Sequence, residues 1–208
     1  MKFEWLNKKN NKNIIVFFSG WGSGPDSIKL QTSEYDVLYI YDYRSFERLD
    51  IDFSIYEKKY LIAWSMGVFV CNFYYDKFKN FDKFIAVNGT QNPINDDFGI
   101  PVIVYDLTIN NFNELSCAKF IKKMSVSLNT DDYCTRSIEE LKQELISIKQ
   151  LKPENFLTFN KAIISLKDRI IPSKNQINWW RSQNVQTKEI ENAQHYIFDL
   201  YKNWSDLL

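Results

Sequence analysis

Short apolar runs, each stopping at a turn and alternating with helical stretches, set the strongest limit on what this chain can fold into. Residues 14–19 (IIVFFS), 35–41 (YDVLYIY), 60–64 (YLIAW) and 81–87 (FDKFIAV) are rich in β-branched and aromatic side chains. Two further runs follow near the end, at 161–166 (KAIISL) and 185–190 (VQTKEI). Runs of this length, bounded by Gly, Asn or Ser, read as strands. Strands separated by helices predict an α/β fold: a mainly parallel sheet flanked by helices. A chain of 208 residues is long enough to close one such domain around a substantial core.

The middle of the chain breaks the alternation. Residues 108–160 offer no convincing strand, and the expectation is a helical lid insertion dividing the core into 1–107 and 161–208. Ser137-Ile138-Glu139-Glu140 fits the S-x-x-E capping box, in which serine and glutamate satisfy each other's free backbone amides. Leu141, Leu145 and Ile148 then fall on one helical face. Leu115, Phe120, Ile121 and Met124 suggest a second helix over 112–124. Residues 99–106 fit either a strand or the beginning of the lid. Helices are expected over 66–75 and 196–206, and the lysine-rich residues 1–13 suggest no element.

Composition narrows the function classes. The 26 basic and 26 acidic residues balance, so net charge gives no sign of a nucleic-acid or membrane partner. The three cysteines, Cys71, Cys117 and Cys134, show neither disulfide nor zinc-ligand spacing and suit a reducing compartment. The apolar run at 14–18 is too short for a signal segment or a membrane span. A cytoplasmic, monomeric protein is the expectation.

Ala63-Trp64-Ser65-Met66-Gly67 follows a strand-like run and precedes a helical stretch. That is the setting of the nucleophile elbow, G-x-S-x-G, with alanine in place of the first glycine. The competing reading makes Ser65 a helix N-cap. Asp168 follows the run at 161–166 and could hold a histidine through its Nδ1, or merely cap a turn before Pro172. His195, the single histidine of the chain, follows the run at 185–190; taken alone it would be a surface loop residue. Serine, aspartate and histidine in that chain order, each after a strand, match the triad of the α/β-hydrolases. Gly20-Trp21-Gly22 after the first strand could supply an oxyanion donor, the Trp21 N–H, to pair with the Met66 N–H. Gly20 and Trp21 would then also border the substrate. A phosphate-binding turn is the alternative for this loop, but GWGSGP is not G-x-G-x-x-G and Pro25 lacks an amide donor.

Taken together, Ser19-Gly20-Trp21-Gly22, Trp64-Ser65-Met66-Gly67, Asn88-Gly89-Thr90, Gly99-Ile100-Pro101, Ser165-Leu166-Lys167-Asp168 and Ala193-Gln194-His195 resemble the BioG family. The resemblance spans nearly the whole chain; Asn-Gly-Thr followed by Gly-Ile-Pro is its more specific part. It implies a compact α/β-hydrolase with a small helical lid, acting as a pimeloyl-[acyl-carrier protein] methyl ester esterase in biotin synthesis. The implied partner is an acyl-carrier protein bearing methyl pimelate, and the implied reaction needs no metal or organic cofactor. The loop has Ser19 where many hydrolases carry a histidine, a residue outside the triad. The lid cations Lys119, Lys122, Lys123, Arg136, Lys142, Lys149 and Lys152 are matched by Glu114, Asp131, Asp132, Glu139, Glu140, Glu144 and Glu154. No carrier-docking residue is assigned among them. A general short-chain carboxylesterase or thioesterase, and a non-catalytic acyl-binding module, are the alternative functions.

Overall fold

The computed structural model describes residues 1–128, 133 and 135–208. Asp131, Asp132 and Cys134 fall outside the described residues. One sheet organises the chain, in the strand order β1-β3-β2-β4-β5-β6-β7. Its strands are β1 (Lys2–Asn7), β2 (Asn13–Phe18), β3 (Tyr35–Tyr41), β4 (Lys58–Trp64), β5 (Lys83–Val87), β6 (Lys161–Ser165) and β7 (Gln186–Ile190). All neighbours pair in parallel except β1, which runs antiparallel to β3. The fold is therefore α/β with a mainly parallel sheet flanked by helices. The central strands are continuous apolar runs because both faces are covered: Ile14 to Phe18, Val37 to Ile40 and Leu61 to Trp64 are fully buried.

β1 has no counterpart in the sequence expectations. It is an edge strand whose first half faces solvent, so Lys2 and Glu4 sit there without an apolar pattern to mark them. Between β5 and β6 the described residues carry three helices, α3 (Val102–Asn111), α4 (Glu114–Met124) and α5 (Ile138–Gln150). Residues 99–106 thus open a helix, which Pro101 precedes. Ser137 forms the expected capping box with Glu140, and Asn113 forms a second one with Ser116 at the start of α4. Leu141, Leu145 and Ile148 are buried, but Leu115 is 66% exposed; Cys117, Ile121 and Met124 form the inner face of α4 instead.

Two expected helices take other forms. The stretch after Ser65 is a four-residue α1 (Gly67–Val70), a 3-10 turn (Cys71–Tyr74) and a short α2 (Tyr75–Phe78). Asn72 breaks it: its side-chain amide donates to Val68 O and Phe69 O, both at 2.9 Å. Side-chain capture of those carbonyls competes with the helical ladder. Residues 196–206 form two 3-10 turns, Phe198–Leu200 and Trp204–Leu207, rather than a helix. Between them the backbone pairs with Gln31 (Gln31 N to Lys202 O, Trp204 N to Gln31 O, 3.0 Å each), while Phe198 and Trp204 pack on Phe17. Residues 173–182, for which the sequence suggests no element, form α6 (Ser173–Ser182), the crossover that the parallel pair β6–β7 requires. Among the described residues, no helix is long and apolar enough to cross a membrane.

Candidate active site

The C-terminal ends of β2, β4, β6 and β7 bring the sequence-predicted residues together. Ser65 sits on the turn between β4 and α1 with φ 55°, a left-handed conformation uncommon outside glycine. Its own N–H is held by Val87 O at 2.9 Å, and its carbonyl accepts from Val68 N at 3.1 Å. The turn is tight enough to dictate Gly67: a Cβ there would lie 2.4 Å from Phe18 O and 2.6 Å from Ser19 O. Those are backbone atoms and cannot swing aside. Gly67→Ala is expected to destabilise the protein by about 3 kcal/mol, read as a lower urea midpoint at unchanged slope. An unaltered midpoint would mean that strand and helix do not pass this closely.

Asp168 lies in the turn after β6, and His195 in the loop after β7. His195 Nε2 is 2.9 Å from Ser65 Oγ, and His195 Nδ1 is 2.7 Å from Asp168 Oδ2. Ser65 is 4% exposed and His195 1%, so both hydrogen bonds are shielded from bulk water. The far oxygen of Asp168 accepts from the N–H groups of Ile170 (2.8 Å) and Ile171 (3.0 Å). Four donors thus surround this carboxylate, the fourth being Gln176 Nε2 at 2.8 Å from Oδ2. Three residues separated by most of the chain meet in one hydrogen-bonded line. Asp168 also caps its own turn through Ile170 and Ile171, whereas Ser65 makes no helix-capping bond and His195 is buried rather than on the surface.

Two positioning groups carry no signal in the sequence strong enough to assign them. Asn88, at the end of β5 with φ 44°, donates to His195 O (2.8 Å) and Ser165 Oγ (2.8 Å) and accepts from Ser165 N (2.7 Å). It ties the histidine loop to β6. Its place at a strand end, in the Asn-Gly-Thr motif, was the available clue. Gln176 is fully buried on α6, a helix the sequence did not announce. Trp64 Nε1 adds a longer bond to His195 O, at 3.2 Å.

Above Ser65 lies a cavity of about 240 Å³, bordered by Trp21, Met66, Tyr105, Phe112, Phe120 and Leu145 among others. The N–H groups of Trp21 and Met66 have no hydrogen-bond partner among the described residues. Gly20 does not border the cavity; it packs beneath it, where a Cβ would come within 3.0 Å of the Trp64 ring and 3.2 Å of Ser65 Cβ. Lys119, Lys123 and Arg169 also line the cavity, and among the described residues no carboxylate does.

Residues 1–207 match the family model described as "Pimeloyl-ACP methyl esterase BioG". The chain belongs to the BioG family. The crystal structure of BioG from Haemophilus influenzae superposes with a TM-score of 0.89 at 31% identity, covering 100% of this chain and 99% of that one. A malonyl-[acyl-carrier protein] O-methyltransferase from Bacteroides fragilis is 36% identical over 197 residues, 89% of this chain. This chain spans only 40% of that relative's length. An esterase from Exiguobacterium antarcticum shares the fold at a TM-score of 0.69 and 14% identity, covering 94% of this chain and 88% of its own. The α/β-hydrolase fold of the BioG family is thus the frame in which Ser65, His195 and Asp168 meet.

Proposed function

We propose that the protein is a serine esterase that hydrolyses the methyl ester of pimeloyl-[acyl-carrier protein], releasing methanol. The single observation that carries this reading is the line Ser65–His195–Asp168 at the floor of a largely apolar cavity, in a chain of the BioG family.

The chemistry follows from the geometry. His195 Nε2 accepts the Ser65 proton as Oγ attacks the ester carbonyl, and Asp168 holds the imidazole and stabilises its charged form. The carbonyl oxygen becomes an oxyanion facing the unpaired N–H groups of Trp21 and Met66. Collapse breaks the bond to the methoxy oxygen, which leaves as methanol with the His195 proton. Water then attacks the acyl-enzyme, gives a proton to His195, and Ser65 is regenerated when that proton returns. Every proton is carried by His195, so the reaction requires neither metal nor organic cofactor.

The segment between β5 and β6, with its insertion over 108–160, serves as the lid in this reading. Its aromatic inner side suits a methylene chain. Lys119, Lys123 and Arg169 suit the acidic carrier protein delivering that chain. The relative from Bacteroides fragilis gives further support: it is named for methylating a carrier-bound malonyl group, and a segment like this chain forms part of it. An esterase joined to the enzyme that installs a methyl ester is chemically consistent.

The test compares methyl pimeloyl-carrier protein with p-nitrophenyl acetate and an acyl-CoA. Preference for the carrier-linked ester is expected, and the gene should restore biotin-free growth to a strain lacking its pimeloyl-ester esterase, with Ser65→Ala inactive. Equal use of all three substrates would leave a general carboxylesterase or thioesterase. No turnover, with no fluorophosphonate labelling of Ser65, would leave a non-catalytic acyl-binding module. The double variant Lys119→Glu, Lys123→Glu is expected to raise KM about tenfold or more for the carrier-linked ester alone. An equal change with p-nitrophenyl acetate would place those lysines in folding rather than in docking.

A further inference from the structure

Glu144 is a carboxylate where the helical pattern calls for an apolar residue. It lies on the inner face of α5 beside Leu141, Leu145 and Ile148, and it is fully buried. Burying an unpaired charge is costly, so its partners explain its presence. Its Oε1 accepts from Tyr43 N at 2.9 Å, and its Oε2 accepts from Arg136 Nη2 at 2.7 Å and from Gly22 N at 3.2 Å. Arg136 Nη1 in turn lies 3.0 Å from Asp42 Oδ1. Burial pushes the Glu144 carboxyl up, while Arg136 and the Tyr43 and Gly22 amides pull it back. Burial also opposes ionisation of Asp42, but Arg44 and Arg136 overcome it and hold that carboxyl far below the usual range.

The Gly22 contact falls on the loop that carries Trp21, and it is one of several grips from the same segment. Tyr133 Oη donates to Trp21 O at 3.0 Å, and the Trp21 indole N–H donates to Leu141 O at 2.8 Å. The peptide between Trp21 and Gly22 is therefore clamped at both ends, its carbonyl by Tyr133 and its N–H by Glu144. On the other side of Trp21, Gly20 O accepts from Ser23 N at 3.3 Å. With both flanking peptides pinned, the Trp21 N–H has a fixed direction.

We propose that Glu144, paired with Arg136, is a positioning residue for the oxyanion hole: it fastens α5 to the Gly20–Gly22 loop and so aims the Trp21 N–H at the reacting carbonyl. The inference rests on the serine-esterase reading above and adds a part to it. The helix is then a structural member of the catalytic centre as well as a cover over it. Glu144 touches no reacting atom and acts through Trp21.

The experiment uses E144Q, with Glu139→Gln on the exposed side of the same helix as control and active-site titration to count folded enzyme. Glutamine cannot accept from all three N–H donors without turning its own NH₂ towards one of them. With p-nitrophenyl acetate, kcat per active site is expected to fall about 10- to 100-fold while KM stays within about threefold, the pattern of an interaction made in the transition state. A trifluoromethyl ketone, which adds Ser65 to form a tetrahedral oxyanion, should lose the same factor in affinity. The corresponding secondary alcohol, which forms no oxyanion, should bind unchanged. Should E144Q fail to fold, Tyr133→Phe releases the other end of the same peptide and is expected to show the same split at roughly 3- to 10-fold. Unchanged kcat and ketone affinity in a folded variant would overturn the proposal. If the parent protein hydrolyses no ester, the esterase reading falls separately. The Gly22 amide then remains the readout: faster hydrogen exchange in E144Q supports the clamp, and equal exchange overturns it.

Discussion

Replacing His195 by alanine is expected to lower kcat about 10⁴- to 10⁶-fold, with binding of a non-reacting ester analogue preserved. The effect is this large because no second imidazole exists in the chain to take over the proton. In the proposed mechanism the Nε2 of His195, 2.9 Å from Ser65 Oγ, is the base, and without it the hydroxyl must lose its proton to water. The residual rate would come from the oxyanion donors and from holding the ester beside the serine. Stopped-assay kinetics on the parent and variant measure this directly, with circular dichroism to show that the fold is intact. Turnover within about tenfold of the parent would mean that another group serves as base.

Asp168→Asn should cost about 10⁴-fold in kcat at little loss of stability. The argument lies in the donors around the carboxylate. Its Oδ1 faces the N–H groups of Ile170 and Ile171, which only an oxygen can satisfy. An asparagine side chain would therefore place its oxygen there and its NH₂ towards His195 Nδ1. That orientation turns Nδ1 into an acceptor and moves the imidazole proton to Nε2, the atom that accepts from Ser65 in the proposed mechanism. Gln176 can absorb part of the change: its Oε1 is buried without a partner among the described residues and could accept from the new amide after a flip, at the cost of the bond that Nε2 now donates to Ile171 O at 2.8 Å, about 1 kcal/mol. The variant should keep its thermal midpoint within a few degrees and lose turnover. A midpoint that collapses together with activity would instead make Asp168 a fold determinant.

These two variants address residues visible in the sequence, and the reason is geometric. A strand–turn–helix corner restricts which residues fit, so Ser65 with Gly67 behind it leaves a readable local pattern. Asp168 and His195 were legible through their order and their places after strands, since parallel strands deliver their following loops to one edge of the sheet. Asn88 and Gln176 were not assigned a role, because a polar side chain that steadies another through a hydrogen bond obeys no periodicity. Glu144 was counted only among the acids that balance the cations of 108–160; nothing local separates it from Glu139 or Glu140, little more than one turn away.

The same division holds for the fold. Runs of apolar β-branched residues and capping boxes are local statements, and the core strands, the capping box at Ser137 and the helical character of the segment between β5 and β6 followed from them. The edge strand β1, the break at Asn72, the 3-10 turns after Tyr196 and helix α6 depended on partners far along the chain. Asn72 disrupts its helix while its own oxygen is engaged by Gln91 and Leu157, and residues 196–206 give their backbone to Gln31. Sequence by itself determined the parallel strands and the elbow, because each is written within a few adjacent residues, and it gave the order of Ser65, Asp168 and His195 through their places after strands. Tertiary structure alone decided which cations face the cavity and which carboxylate is buried against the Gly20–Gly22 loop, because burial and charge pairing arise only when distant segments pack together.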